Sequence, residues 1–507
     1  MKFHKSFLLL VLAILVPLGV VRSAAIAENA KVDANGEKKS SQSKDDYYEL
    51  YKLLADTVDQ VDRNYVKEVD RRELIEAAIR GVMTKLDPYS AYIGPEELAQ
   101  FRSSVDNEFG GIGIHVSADD GDLKVLSPIY GTPAYRVGIQ AGDRIVEIDG
   151  KSTAGIEPDD AIRWMKGAEG TKVSITVIHA GKTNREKFTL MRERVHVETV
   201  LGDRRKADDH WEFMYDEKSH IGYIRITAFS QETAKELHSA LEDLKRHNVR
   251  GLVLDLRFNP GGLLRSAIEI CNLFISSGRI VSTKGRNTPE RVWDAHNSAI
   301  FENIPMAILV NHYSASASEI VSACLQDHKR AVVMGERTWG KGSVQNIIEL
   351  ENGHSALKLT TAAYKRPSGK NIHRFPDSKD KDEWGVMPDL GYELALNERE
   401  THELLADRRN REIILAHVSE EKSATAPAKS GPLHDKPASI PDSPATPGPA
   451  VITEPLARRN ALLKSDVSKR STESESKSVV ASKPFVDRQL EMAVKYLHDE
   501  LAKKNGK

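Results

Sequence analysis

Short apolar runs alternate with helical patterns between residues 193 and 400, and this alternation constrains the fold more than any other feature of the sequence. Runs such as Leu252-Val253-Leu254 suit strands that are buried on both faces of a sheet. Alternating strands and helices are typical of α/β layer structures. We therefore predict an α/β core with three strand and helix pairs, at 221–226 and 231–247, 251–256 and 263–277, and 306–310 and 314–326.

Changes in apolar spacing and in composition divide the rest of the chain into segments. Apolar residues at helical spacing mark a helical unit at 45–104, and short β-like runs with frequent glycine mark a compact, mostly β domain at 105–192. A helical extension is predicted at 401–419 and an amphipathic helix at 484–507. Between them, 420–483 is rich in Pro, Ser, Ala and Lys, a composition that predicts disorder. The fold class is thus α+β and multidomain.

The N-terminus has the three-part layout of a secretory signal peptide. Two lysines precede an apolar run over residues 7–21, and Ala25-Ile26-Ala27 fits an A-x-A cleavage site. We predict a signal peptide at 1–27 and a polar spacer at 28–44. The apolar run is short for a spanning helix, which needs about 20 residues. A cleaved signal and an uncleaved anchor in the inner membrane both fit, and in either case the rest of the chain is expected in the periplasm.

The composition excludes several classes of partner. The formal net charge is −2, and basic residues do not cluster with aromatic ones in the middle of the chain, so we expect no nucleic-acid partner. No H-E-x-x-H or C-x-x-C spacing occurs, so we expect no metal and no other cofactor. Cys271 and Cys324 are too few for a disulfide-stapled scaffold. Free thiols and a disulfide both fit the sequence.

A run of small residues joins the third predicted strand to its helix. Ser314-Ala315-Ser316-Ala317-Ser318-Glu319 places a hydroxyl at a helix N-terminus, where free backbone N–H groups and the helix dipole can stabilise an oxyanion. The alternative is structural, because Ser316-x-x-Glu319 is also a capping box. Taken alone, this stretch favours the structural interpretation.

A second candidate is the lysine in Trp339-Gly340-Lys341-Gly342. A lysine deprotonates a serine only when it is neutral, a state that burial in an apolar pocket favours. If the chain is extended here, Lys341 and Gln345 project to the same face, so the amide can orient the amine. An exposed lysine in a turn is the alternative. A nucleotide-binding loop is excluded, since Gly342 stands where Ser or Thr must hold magnesium.

Two glycine-rich loops are candidate binding elements. Gly261-Gly262 follows Asp255-Leu256-Arg257 at the end of a predicted strand, where a glycine can turn its backbone N–H toward a ligand. An ordinary turn is the alternative, with Asp255 and Arg257 as a structural ion pair. The second loop, Gly111-Ile112-Gly113-Ile114, opens the mostly β domain, and consecutive N–H groups there suit the terminal carboxylate of a peptide.

Together these motifs resemble, in order and spacing, those of the carboxy-terminal processing (tail-specific) proteases, which are serine–lysine peptidases with a PDZ domain. The resemblance covers roughly residues 46–395 and the last helix. Trp384-Gly385-Val386-Met387-Pro388-Asp389 is similar to the motif that closes the family's core. The resemblance implies that 105–192 is a PDZ domain and that 193–400 is a crotonase-like serine–lysine protease core.

The resemblance also implies a role for each candidate residue. Ser316 is the nucleophile, Lys341 is the general base, and Gln345 positions the lysine. The backbone amides of Gly262 and Ala317 form the oxyanion hole. The carboxylate of the substrate is bound by the loop of Gly111, Ile112, Gly113 and Ile114.

The expected function is cleavage of flexible C-terminal regions of exported proteins, whose free apolar C-termini the PDZ domain binds. The rival is a catalytically inactive PDZ scaffold that binds C-terminal tails, and the complete set of Ser316, Lys341 and Gln345 argues against it. The terminal helices suggest a further partner. The amphipathic helix at 484–507 is expected to dock onto the body of the protein or onto a second copy of the chain in a homodimer.

Overall fold

The structure, a computed structural model, describes residues 44–413 and 485–505, apart from short gaps at 107, 120, 207 and 297–298. Over these ranges, no helix is both long enough and apolar enough to cross a membrane. The chain forms two compact units, which meet in sequence at Ile75 and Glu76.

Three of the predicted segments fall wholly or almost wholly outside the described residues. They are the signal peptide at 1–27, the spacer at 28–44 except for its last residue, and the disordered linker at 420–483.

The structure contains both an α/β part and a mostly β part. The described α-helices are α1 (Lys44–Asn64), α2 (Arg71–Thr84), α3 (Pro95–Asp106), α4 (Pro133–Arg136), α5 (Pro158–Met165), α6 (Thr233–Arg246), α7 (Leu264–Asn272), α8 (Ala317–Asp327), α9 (Glu398–Glu412) and α10 (Arg488–Asn505). The described strands are β1 (Ala91–Ile93), β2 (Glu108–Gly111), β3 (Ile114–Asp119), β4 (Asp122–Pro128), β5 (Arg144–Ile148), β6 (Lys151–Ser152), β7 (Lys172–Ile178), β8 (Arg185–Met191), β9 (Glu193–His196), β10 (Val200–Leu201), β11 (Arg204–Arg205), β12 (Trp211–Glu212), β13 (Met214–Asp216), β14 (Ile221–Ile226), β15 (Gly251–Asp255), β16 (Arg279–Lys284), β17 (Arg291–Asp294), β18 (Met306–Val310), β19 (Val332–Gly335), β20 (Ser343–Leu350) and β21 (Ser355–Lys365).

The mostly β domain is an antiparallel sheet in the order β3–β4–β5–β7–β8, with β6 paired to β5 and a separate β2–β9 ladder. Buried residues such as Ile145, Ile148 and Ile175 form its core, which α5 covers. The apolar and glycine-rich run at 111–116 predicts one strand, but the structure interrupts it. It breaks after Gly111 and resumes at Ile114, because Gly113 has a φ of +76° and turns the chain.

The α/β core is built on a sheet in the order β10–β14–β15–β18–β19, in which β14, β15, β18 and β19 are parallel. Every residue of β15 and of β18 is buried. One face packs against α6, α7 and α8, and the other packs against α10. The prediction that these strands are buried on both faces is confirmed.

A second sheet lies beside the core and carries one side of the candidate site. Its order is β1–β21–β16–β17, and β20 also pairs with β21. All of these pairings are antiparallel. Strand β21 therefore lies between β1, from the N-terminal part of the chain, and β20, which follows the predicted lysine turn.

The C-terminal helix α10 docks onto the core of the same chain. Leu490, Ala493 and Leu497 are buried against the face of the sheet formed by residues such as Val253 and Leu309. Their spacing of three and four residues places them on one side of the helix. Of the two docking sites expected for this helix, the structure shows the one on the body of the protein.

Candidate active site

Ser316 lies in a strained turn between β18 and α8. The helix begins at Ala317 rather than at 314 as predicted, because the Ser316 backbone has a φ of +56° and is not helical. A positive φ is unfavourable for a residue with a side chain, and such strain is concentrated at functional sites. Ser316 is 1% exposed, and its Oγ atom has no well-formed hydrogen bond among the described residues.

Tyr364 of β21 is a buried neighbour of Ser316. Burial raises the pKa of Tyr364 well above its usual value, and a hydrogen-bond interaction with the Ser316 hydroxyl opposes part of that rise. The phenol is therefore neutral. No sequence pattern indicates this contact, because Tyr364 lies 48 positions after Ser316 in the chain.

Lys341 is buried in a turn before β20 that depends on both of its flanking glycines. A Cβ atom on Gly340 would lie 2.7 Å from Arg374 Cβ, and one on Gly342 would lie 2.4 Å from the His373 backbone nitrogen. The Lys341 side chain is 1% exposed, and its Nζ atom lies 4.1 Å from the centre of the Tyr89 ring. The alternative of an exposed lysine in a turn is wrong.

Glu319 joins the serine turn to the lysine turn. Its Oε2 atom accepts hydrogen bonds from the backbone N–H of Ser316 at 2.7 Å and from that of Lys341 at 2.8 Å. Its Oε1 atom accepts from the Gly340 N–H and from the Thr338 hydroxyl. Burial raises the pKa of Glu319, while these hydrogen bonds favour its ionised form. One buried carboxylate thus fixes the two predicted catalytic turns against each other.

The Gly261-Gly262 turn packs against the same serine. A Cβ atom on Gly261 would lie 2.9 Å from Ser316 Cβ and 3.0 Å from the Ala317 backbone nitrogen. Gly262 has a φ of +151° and lies against the Phe229 carbonyl. The structure therefore brings the two predicted oxyanion-hole elements, the Gly262 turn and the start of α8, into contact.

Gln345 is buried on β20, close to the lysine turn. Its Nε2 atom donates to the hydroxyls of Ser343 at 3.0 Å and Thr360 at 3.1 Å. Its Oε1 atom is buried and has no hydrogen-bond partner in the part of the chain that the structure describes. The Gln345 amide thus has an unused acceptor, its Oε1 atom.

The predicted carboxylate loop lies apart from this group, in the β domain. Ile112 is buried, and the Ile112 carbonyl accepts from the Ala134 N–H at the start of α4. The Gly113 carbonyl accepts from the Thr132 hydroxyl at 3.1 Å. These bonds fix the carbonyl groups of Ile112 and Gly113.

Asp255 and Arg257 form a buried ion pair, as the structural alternative predicted. Arg257 Nη2 lies 2.6 Å from Asp255 Oδ2 and 2.7 Å from Asp487 Oδ2, and Arg408 contacts the same Asp255 carboxylate. We call these four residues the charge cluster. It joins the end of β15 to α9 and to the residue just before α10. The two cysteines, Cys271 and Cys324, are both free thiols and both buried.

Comparison with known proteins assigns the chain to a class. The model of peptidase family S41 matches residues 220–390, a PDZ domain model matches 124–178, and a model of the N-terminal domain of the activating protease CtpB matches 17–97. The chain is therefore a peptidase with an S41 core and a PDZ domain, in a fold of mixed helix and sheet.

Curated relatives identify the family within that class. The chain is 37% identical over 388 residues to the carboxy-terminal-processing protease of Bartonella bacilliformis, a match that covers 75% of this chain and 82% of the relative. It is 34% identical to the carboxy-terminal processing protease CtpA of Bacillus subtilis, over 71% of this chain and 72% of the relative. Among solved structures, the photosystem II D1 C-terminal processing protease is 27% identical, with a TM-score of 0.39, over 72% of this chain and 97% of that one. The chain belongs to the carboxy-terminal processing protease family.

Proposed function

We propose that this protein is an exported serine endopeptidase that cleaves flexible C-terminal regions of proteins with a dyad of Ser316 and Lys341. The observation that carries the proposal is the Glu319 carboxylate, which accepts hydrogen bonds from the backbones of both residues. This contact holds a strained, buried serine and a buried lysine in adjacent turns. Such an arrangement has a purpose in nucleophilic catalysis and none in a passive binding module.

The proposed reaction is acyl transfer without histidine. Neutral Lys341 takes the proton of the Ser316 hydroxyl, and Ser316 Oγ attacks the scissile carbonyl carbon. The backbone N–H groups of Gly262 and Ala317 stabilise the oxyanion of the tetrahedral intermediate. Lys341 then gives its proton to the leaving amine. Water hydrolyses the acyl-enzyme with the same proton transfers in reverse order, and Gln345 orients the lysine throughout.

The crotonase-like fold of the core, the cellular location and the homodimer are also proposals. The parallel strands β14, β15, β18 and β19, with helices packed on both faces, support a crotonase-like core. The signal-like N-terminus supports a periplasmic location, with membrane association where that segment stays uncleaved. The terminal helices remain the proposed elements of a homodimer.

Replacement of Gly261 by alanine is expected to lower kcat by about 100-fold, because a displacement of about 1 Å at a reacting group has that effect. The added Cβ atom would lie 2.7 Å from the Ala315 carbonyl oxygen and 2.9 Å from Ser316 Cβ, so the nucleophile must move. Steady-state hydrolysis of an unstructured peptide measures the loss. Gly391→Ala is the matched control, since Gly391 has a φ of +90°, near the +100° of Gly261, and open space around it. Equal losses in both variants would show that backbone strain, and not contact with Ser316, is responsible.

Amidation of the substrate's C-terminus is expected to lower kcat/KM by about 10- to 100-fold, because hydrogen bonds to a charged carboxylate contribute about 1.5–3 kcal/mol. The reason is the proposed capture of the free carboxylate by the N–H groups of residues 111–114. The test compares one peptide with an apolar C-terminus in free and amidated forms. Equal kcat/KM values for the two forms would contradict tail capture. Binding of the free form without any cleavage would instead support the inactive scaffold.

A further inference from the structure

The turn at residues 87–90, which the sequence marks only as the end of a helix, is folded around the carboxylate of Asp87. Asp87 Oδ1 accepts from the backbone N–H groups of Tyr89 at 2.8 Å and Ser90 at 2.9 Å, and Oδ2 accepts from the Ser90 hydroxyl at 2.8 Å. Strand β1 follows directly and pairs with β21. The turn is thereby fixed along the edge of the sheet that carries the lysine side of the site.

Asp87 is linked to Gln345 through a single hydroxyl. The Thr360 hydroxyl, on β21, donates to Asp87 Oδ1 at 3.2 Å, and Gln345 Nε2 donates to the Thr360 oxygen at 3.1 Å. The Thr360 backbone N–H also donates to the Ser90 hydroxyl at 3.1 Å. The turn at 87–90 thus holds Thr360 by both its side chain and its backbone.

The direction of this chain of hydrogen bonds is determined by Asp87. An ionised carboxylate can only accept, so the Thr360 hydroxyl must donate its proton to it. The Thr360 oxygen is then an acceptor for its other neighbour, and only the NH2 end of the Gln345 amide can satisfy it. The Ser343 hydroxyl takes the other N–H of the same group. Gln345 Oε1 is therefore kept as the free acceptor of the amide, and it is buried.

The same turn also covers the lysine itself. The Tyr89 ring lies over Lys341, with Nζ 4.1 Å from the ring centre, and Trp339 Nε1 lies 3.4 Å from the Tyr89 hydroxyl. The turn therefore contacts the amine through Tyr89 and is linked to the Gln345 amide through Asp87.

We propose that the turn at 87–90 completes the active site, with Asp87 as a positioning residue that acts through Thr360 to direct Gln345 Oε1 toward the Lys341 amine. The inference rests on the proposed roles of Ser316 and Lys341 and adds the element that orients the base. Without Asp87, the Thr360 hydroxyl is free to donate to the amide oxygen. The amide can then rotate and present its N–H groups, instead of its oxygen, to the Lys341 amine.

The decisive variant is Thr360→Val, which keeps the shape of the side chain and removes the hydroxyl. We expect kcat for a free-tailed peptide to fall by about 10- to 100-fold with little change in KM, because substrate binding is untouched and base positioning is lost. Thr360→Ser restores the hydroxyl and is expected to restore kcat. The matched control is Thr361→Val, which removes a hydroxyl from the next position of the same strand. That hydroxyl has no hydrogen-bond partner among the described residues.

A double-mutant cycle separates positioning from a general loss of structure. In a Gln345→Leu background, Thr360→Val is expected to cause little further loss, because the amide on which it acts is gone. The proposal is overturned if Thr360→Val is as active as Thr361→Val, or if its effect is equally large with and without Gln345.

A spectroscopic measurement keeps this inference distinct from the proposed function. If Ser316→Ala retains wild-type activity, the dyad has failed, and the orientation of Gln345 is then judged by NMR of the full chain with 15N-labelled glutamine. The Gln345 side-chain amide signals, assigned by their loss in Gln345→Leu, are expected to shift in Asp87→Asn and in Thr360→Val but not in Thr361→Val. Unchanged Gln345 signals in Asp87→Asn and Thr360→Val overturn the proposal whatever the activity.

Discussion

Replacement of Ser316 by alanine, or of Lys341 by methionine, is expected to lower kcat for a peptide substrate by about 10⁴-fold or more, as removal of a member of a catalytic nucleophile–base set does in other serine peptidases. Without Ser316 no acyl-enzyme can form. Without Lys341 no group is placed to take the serine proton or to protonate the leaving amine. The two residues act as a unit, so the double variant is expected to lose no more than either single variant. Single-turnover hydrolysis of a fluorogenic peptide measures all three rates.

Both substitutions are chosen so that the fold survives. The Ser316 hydroxyl makes no well-formed hydrogen bond within the described residues, so its removal breaks no such bond. Methionine keeps the unbranched apolar stem of Lys341 under the Tyr89 ring. Lys365→Met is the matched control, because Lys365 is an exposed lysine on β21, and its activity should equal that of the wild type. A Lys341→Met variant that cleaves at the wild-type rate would refute the dyad.

The architecture of the core follows from local sequence patterns. Apolar runs such as Leu252-Val253-Leu254 have no polar face, so a strand there must be covered on both sides, and α7 and α10 provide part of that cover. The capping box of Ser316 and Glu319 is equally local, and the Ser316 N–H does donate to the Glu319 carboxylate. Interactions between residues three or four positions apart can be inferred from spacing alone.

The contacts that complete the site are between residues far apart in the chain. Glu319 also binds the Lys341 backbone, 22 residues away, and Asp87 binds Thr360, 273 residues away. No periodicity encodes such pairs, since they depend on how β1, β20 and β21 are arranged in one sheet and on how α8 lies against the turn before β20. The positive φ of Ser316 was also missed, because strain at a residue with a side chain is imposed by the surrounding fold and runs against local preference. In Asp87-Pro88-Tyr89 the helix-ending signal was visible, but the use of Asp87 as an acceptor was not.

Removal of Asp487 is expected to destabilise the protein by about 3–5 kcal/mol at pH 7, the usual cost of removing one partner from a buried ion pair. The charge cluster contains two carboxylates, Asp255 and Asp487, and two guanidinium groups, Arg257 and Arg408, all nearly or fully buried. Asp487→Ala leaves one positive charge without compensation in the interior. It also removes one of the contacts that hold the start of α10 to Arg257, which lies four residues before Gly261. Urea unfolding of the full chain measures the loss.

The pH dependence of the difference in stability between the wild type and Asp487→Ala identifies the ion pair as the cause of that difference. Burial alone would raise the pKa of Asp487, but the charge and hydrogen bonds of Arg257 hold it below its usual value. The carboxylate therefore contributes stability that is fully present above its unfolded pKa of about 3.9 and is lost as the pH falls through its lower folded value. The difference between wild type and Asp487→Ala is expected to shrink below about pH 4. Asp499→Ala removes the same charge from an exposed position on α10 and is expected to change stability by at most about 0.5 kcal/mol. If Asp487→Ala were no more destabilising than Asp499→Ala, the ion pair of Asp487 with Arg257 would have no part in joining α10 to the catalytic core.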